Sequence, residues 1–160
     1  MSQRIETGML LITALTMEMA AEIQRQSQDE ATRRFVPDEV FETLEAAEET
    51  VRELIEAYQS PDGPYVYAVV RNDGVLLGYV QLCRIEEGWE IGYHIAEEHR
   101  GRGYAAESVQ AFLPVMMARL GISQVWGVAD ERNAASCRVL EKCGFSLIEQ
   151  GERRRYRYKG

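Results

Sequence analysis

The stretch WEIGYHIAEEHRGRGYAAE, residues 89–107, decides how this chain is read. Its first eight residues read as a strand, with Glu90, Gly92 and His94 on one face and Trp89, Ile91 and Tyr93 on the other. Its end opens an apolar pattern at helical spacing, Val109, Phe112, Leu113, Met116 and Leu120. Between the two stand Gly101, Gly103 and the guanidinium groups of Arg100 and Arg102. A strand, a glycine turn and a helix start bring free backbone N–H groups and the positive end of a helix dipole to one point, which is an anion site. Glycine lets the chain approach a ligand with no Cβ in the way, and arginine adds charge-assisted contacts to phosphate oxygens. On spacing alone, a plain strand-to-helix turn with solvated arginines reads the same way. RGRGYA lacks the Lys-Ser/Thr of a P-loop, and its strand follows a hairpin rather than a βαβ unit.

Upstream, YVYAVV and VLLGYVQL flank Asn72-Asp73-Gly74, a strong hairpin signal, and Glu86-Glu87-Gly88 turns the chain into the strand at 89–96. Further back, MLLITAL (9–15) reads as a first strand. Thr16 is placed to cap a helix carrying Met19, Ala20 and Ile23 on one face. QSQDEATRRFVP reads as a loop, and 38–58 as a helix with Val40, Leu44, Val51, Leu54, Ile55 and Tyr58 inward. Downstream, 104–120 is a helix that Pro114 should kink or break. QVWGVA (124–129) is a buried strand, and 133–142 a short helix closed by Gly144. FSLIEQ and ERRRYRYK form a final hairpin. The order β-α-α-β-β-β-α-β-α-β-β predicts one α/β (α+β) domain over 1–160, with a mixed, mostly antiparallel sheet flanked by helices.

The chain has 160 residues, 46% hydrophobic and 28% charged, enough for one ordinary globular core. It has no apolar run long enough to span a bilayer and no signal-peptide pattern, so no membrane partner and a cytoplasmic location are expected. Cys83, Cys137 and Cys143 form no CxxC pair, which predicts buried free thiols and no metal site. The net charge of −8 argues against nucleic acid and favours cationic substrates.

The motifs together resemble one family. Arg100-x-x-Gly103-x-Ala105 is similar to the Arg/Gln-x-x-Gly-x-Gly/Ala signature of the GCN5-related N-acetyltransferase (GNAT) superfamily. VWGVADERNAASCRVLEKCGF (125–145) looks like that superfamily's second conserved block. GYHI, GRGYAAE, N-x-x-S and EKCGF resemble the RimJ/RimL branch. The resemblance is close from about residue 75 to 149 and only topological before residue 65. It implies a GNAT fold, acetyl-CoA as cosubstrate, and direct acetyl transfer to a primary amine, either a peptide N-terminus or a small molecule. The backbone of Gly101, Arg102, Gly103, Tyr104 and Ala105 would hold the pyrophosphate, beside Arg100. The two strands at 89–96 and 124–129 would splay, with the pantetheine arm pairing near His94 and Ile95, and Asn133 bonding the arm.

Amide formation needs a neutral amine, which makes a general base useful. Glu90 is the leading candidate, by strand alternation and by its position relative to RGRGYA. A structural or solvent-facing carboxylate is the alternative, and His94 is the reserve. Many GNAT enzymes place a tyrosine seven residues after the asparagine as acid for the leaving thiolate; here that residue is Leu140. The RimJ/RimL pattern suggests Ser136 instead. A non-catalytic acyl-CoA-binding or interaction module with the same fold is the rival reading, and a homodimer is left open.

Overall fold

The computed structural model describes residues 4–160. Its centre is the hairpin of β3 (Tyr65–Arg71) and β4 (Leu76–Ile85), turned at Asn72-Asp73-Gly74, where Gly74 takes φ 92° and the Asp73 carboxylate binds Arg71. β5 (Gly88–Ile95) continues antiparallel along β4, from Gly78↔Ile95 to Ile85↔Gly88. On the other side, β2 (Leu10–Ala14) and the two-residue β1 (Ile5–Glu6) complete the antiparallel half.

β6 (Gln124–Asp130) lies parallel to β5 and meets it at a single pair, Glu90↔Trp126. Beyond that pair the two strands separate. β8 (Arg153–Lys159) pairs with β6 over seven residues, and β7 (Ser146–Glu149) forms the outer edge. The order is β1-β2-β3-β4-β5-β6-β8-β7, so the last hairpin folds back with its second strand inside.

Each sheet face buries its own core. Val69, Leu77, Val80, Leu82 and Ile91 face α4 (Tyr104–Leu120) and α5 (Ala134–Lys142), with Phe112 and Tyr156 fully enclosed. Each such large side chain contributes about 1.5–3 kcal/mol. On the opposite face, Val66 and Ala68 meet α1 (Ala20–Gln26) and α3 (Leu44–Ala57) through Ala20, Ile23 and Val51. No described helix is long and apolar enough to cross a membrane.

Four local expectations change. The segment read as a loop contains α2 (Glu30–Phe35), started by Asp29, whose carboxylate accepts the Thr32 N–H, and stopped before Pro37. The helix expected from 38 begins at Leu44, capped by Thr43, after a 3₁₀ turn at Pro37–Glu39; Val40 lies outside it and Leu44 is exposed. α4 runs unbroken through Pro114, whose exposed position lets water reach the carbonyl that the ring leaves unpaired. Thr16 stands at the N-cap of a 3₁₀ turn, Met17–Met19, with no side-chain cap bond.

Candidate active site

The loop between β5 and α4 is built for an anion. Gly101 and Gly103 sit at φ 79° and 83°, in the left-handed region where a side chain is strained. With the chain so folded, the N–H groups of residues 101–106 have no backbone acceptor among the described residues; the first bond of α4 runs from the Glu107 N–H to the Gly103 carbonyl. Orphan N–H groups at a helix start suit phosphate oxygens. The Tyr104 side chain is buried in the core and that of Ala105 is half-buried, so these two residues offer their backbone only. Arg102 is exposed.

Arg100 is not turned toward that anion site. Its Nε donates to the Ile95 carbonyl (2.8 Å) and its Nη1 to Asp29 (3.0 Å). The Asp29 side chain is only 7% exposed. Burial raises its pKa, but the bonds from Thr32 and Arg100 outweigh burial and hold it well below the usual carboxylate range. His94 completes the cluster, with Nε2 3.1 Å from Thr32 Oγ1 and 3.3 Å from Arg100 Nη2, and its ring stacked on Tyr79. Burial, then the Arg100 charge, lowers the His94 pKa and keeps the ring neutral at pH 7. These residues pin the base of the loop to α2.

The gap between β5 and β6 is lined by backbone. The Ala96 N–H donates to Leu77, so by antiparallel alternation His94 turns its backbone to β4, while Tyr93 and Ile95 turn theirs toward the gap. The His94 carbonyl lies where a Cβ on Gly78 would meet it at 1.8 Å, so only glycine fits there. The edge available to an extended ligand is therefore Tyr93 and Ile95, not His94, and the Ile95 carbonyl already accepts from Arg100.

Glu90 stands at the single β5–β6 pair, beside Cys83 on β4, on the α1–α3 side of the sheet. Burial raises its pKa above the usual carboxylate range; Arg153 and Arg155 on β8 oppose the shift, and Glu87 adds to it. A carboxylate shifted this way is a stronger base than an exposed one. Burial, then the Glu90 charge, pushes the neighbouring Cys83 thiol up to about 11.

Asn133 caps α5, its Oδ1 accepting the Ser136 N–H at 3.2 Å, which leaves the amide NH₂ uncommitted by that bond. Ser136 faces the gap through an unexpected partner: the Tyr93 hydroxyl lies 3.0 Å from the Ser136 carbonyl and 2.9 Å from Ser136 Oγ. A phenol thus reaches this spot from β5. The one signal for it is that a tyrosine on an inward face needs a partner for its hydroxyl. Leu140 is buried against Gly127, where even a Cβ would come within 2.7 Å of it, so that position serves core packing. Cys137 and Cys143 are buried free thiols bonded to backbone carbonyls.

Residues 9–146 match the Acetyltransferase (GNAT) domain family. The chain belongs to the GNAT acetyltransferase family. It is 28% identical over 159 residues to the uncharacterized N-acetyltransferase YoaA of Bacillus subtilis (strain 168), covering 97% of this chain and 88% of that protein. Its fold superposes on a GNAT-family acetyltransferase from Bacillus anthracis with a TM-score of 0.83 at 20% identity, over 98% of each chain. RimL, described as a ribosomal L7/L12 alpha-N-protein acetyltransferase in complex with coenzyme A, matches with a TM-score of 0.83 at 18% identity, over 98% of each chain. As a GNAT member the chain is an acyl-CoA-dependent N-acetyltransferase. The free N–H groups at 101–106 and the open edge of β5 fit that cosubstrate, as an anion cradle and an extended-arm slot.

Proposed function

We propose that this GNAT enzyme acetylates the α-amine of a peptide N-terminus, by direct transfer, with Glu90 as general base. The observation that carries the reading is Glu90 itself, a carboxylate of raised pKa at the point where β5 and β6 part. At neutral pH an α-amine with a pKa near 7.8 loses its proton for about 1 kcal/mol, whereas a lysine costs about 4–5 kcal/mol. A single carboxylate of raised pKa is suited to the first task. The RimL likeness in fold and the RimJ/RimL-type motifs favour the same acceptor class, although the fold by itself does not fix a substrate.

Acetyl-CoA, when bound, supplies the activated acyl group. Residues 101–105 would hold its pyrophosphate through backbone N–H groups. Tyr93, Ile95 and Asn133 would hold the arm. Ser136, with Tyr93 behind it, would donate a hydrogen bond to the departing sulfur. A non-catalytic acyl-CoA-binding module keeps one point in its favour, the burial of Leu140 where many relatives carry a tyrosine acid. The test is a screen of peptide N-termini, lysine side chains and small amines, followed by release of CoA thiol. Turnover confined to peptide α-amines supports the reading. Acetyl-CoA binding without thiol release from any amine would favour the binding module.

A further inference from the structure

The net charge of −8 suggests a cationic acceptor, yet the charge is unevenly placed. Acidic side chains crowd the outer surface of α3, at Glu45, Glu49, Glu53 and Glu56, all exposed. The sheet face that carries Glu90 continues in the opposite sense. β8 alternates, sending Tyr156 into the core with Arg154 and Tyr158 on the same side, and turning Arg153, Arg155 and Arg157 to the Glu90 side. Cross-strand register confirms the row: Glu90 stands beside Trp126, and Trp126 beside Arg157.

Trp126 organises these arginines. The guanidinium of Arg155 lies 4.5 Å from its ring centroid and that of Arg157 5.7 Å, so the indole fixes two otherwise flexible cations. Arg155 also pairs with Glu87 at 3.2 Å. Arg153 and Arg157 have no ion pair among the described residues. Asp130, across from Arg153, is already bound by Arg132, and Glu149 on β7 stands across from Arg155. The indole Nε1 of Trp126 is buried and has no acceptor among the described residues. Two unmatched guanidiniums and an unused N–H donor thus share one patch, two strands from the proposed base.

We propose that this patch receives acidic residues of the acceptor peptide, so that the enzyme selects N-termini followed by Asp or Glu. The inference rests on the peptide α-amine reading and adds the composition of the peptide. A guanidinium fork already held on an indole, as that of Arg157 is, binds a carboxylate with little further ordering. The distance is compatible. From β5 across β6 to β8 is two strand spacings, about 10 Å, and an extended peptide covers about 3.3–3.6 Å per residue. With the amine at Glu90, the side chains of the second to fourth residues reach the patch. Basic neighbours have a second effect, since they disfavour the protonated form of the amine.

Matched synthetic peptides with Glu or Lys at positions two to four provide the test. Wild-type kcat/KM should favour the Glu peptide by about 10-fold or more at low ionic strength, with the gap narrowing in high salt. Arg153→Glu and the milder Arg157→Gln should shrink or invert that preference, while Arg52→Glu on α3, the same charge change elsewhere, should leave it unchanged. Calorimetric binding of the same peptides with acetylated N-termini to the protein–CoA complex separates the two readings. A preference for the blocked Glu peptide without turnover of any free peptide would refute the acetylation reading and leave the basic patch standing. Equal affinity for the two blocked peptides, or an unaltered preference in both arginine variants, would overturn the patch. So would sedimentation showing a dimer that these substitutions dissolve while peptide preference stays the same.

Discussion

The Tyr93 hydroxyl and Ser136 Oγ lie 2.9 Å apart, joining a residue of β5 to the first turn of α5 across the gap between β5 and β6. The phenol is also 3.0 Å from the Ser136 carbonyl. When the phenol's one proton is donated to Ser136 Oγ, the serine's own hydrogen is left for another acceptor. Burial holds the Tyr93 pKa well above the ordinary phenol range, so the tyrosine orients Ser136 without ionising.

Ser136→Ala should therefore lower kcat by about 10-fold to 10³-fold with little change in acetyl-CoA affinity, because the hydrogen bond strengthens as charge develops on sulfur. Tyr93→Phe should give a smaller loss of the same kind. The double variant should be little worse than Ser136→Ala alone, since the phenol acts through the serine. Steady-state kinetics on the four proteins decide it; fully additive losses would show two independent roles.

The anion loop depends on conformation more than on space. The nearest atom to a Cβ built on Gly103 is Lys142 Nζ at 3.9 Å, so a side chain has room, yet φ is 83°. Gly103→Val should weaken CoA binding by roughly 10²-fold through lost alignment of the N–H groups. Gly151, in the turn between β7 and β8 and without positive φ, serves as the control, and Gly151→Ala should bind CoA normally. Calorimetric titration with CoA measures both.

The Asp29–Arg100 pair fixes the other side of that loop, and its pH dependence can be stated. The Asp29 carboxyl has a folded pKa below its unfolded value near 3.9, so its stabilisation is complete above that value and fades as pH falls toward the folded pKa. Asp29→Asn should cost about 2 kcal/mol at pH 7, less than a fully buried pair because the Arg100 side chain is 35% exposed. Thermal melts should show wild type and variant separated at neutral pH and converging below about pH 4. CoA affinity should fall along with stability, because Arg100 then loses the partner that holds its loop.

Much of the sheet was legible because the hydrophobic period changes from helix to strand at Tyr65, and turn residues such as Asp73-Gly74 bound each strand. α2 was not, since six residues show no periodicity and its only mark is Asp29 three before Thr32. For the site, strand alternation placed Glu90 and His94 on one face correctly. It could not say that His94 is closed in by Asp29 and Thr32 from a distant segment, together with Arg100 from the loop that follows. Nor could it place Tyr93 beside Ser136, because that contact depends on how far β5 and β6 diverge. The basic patch was hidden for a different reason: RRRYRYK reads as a two-faced strand, but its neighbour across the sheet follows only from β8 lying inside β7.

Glu90 links stability to catalysis in one residue. Burial raises its folded pKa above the unfolded carboxylate value, so the native state binds the proton more tightly than the unfolded chain. That contribution is fully present below the unfolded pKa and is lost as pH rises through the folded one. At pH 7 the protein therefore carries a half-buried carboxylate with no side-chain hydrogen bond among the described residues. Glu90→Gln removes the charge, and its melting temperature at pH 7 should equal or exceed that of wild type. Activity should move the other way. Without the base, kcat/KM at pH 7 should fall by roughly 10²-fold, and the deficit should shrink as pH rises past about 7.8, where the α-amine deprotonates unaided. The wild-type rate should drop on the acid side at a pH above the ordinary carboxylate range, a limb that the Gln variant lacks. A variant that melts higher and turns over more slowly is the signature of a base held in a costly place for its chemistry. Full activity in the Gln protein at pH 7 would assign the proton to water, and a lower melting temperature would make Glu90 a structural carboxylate.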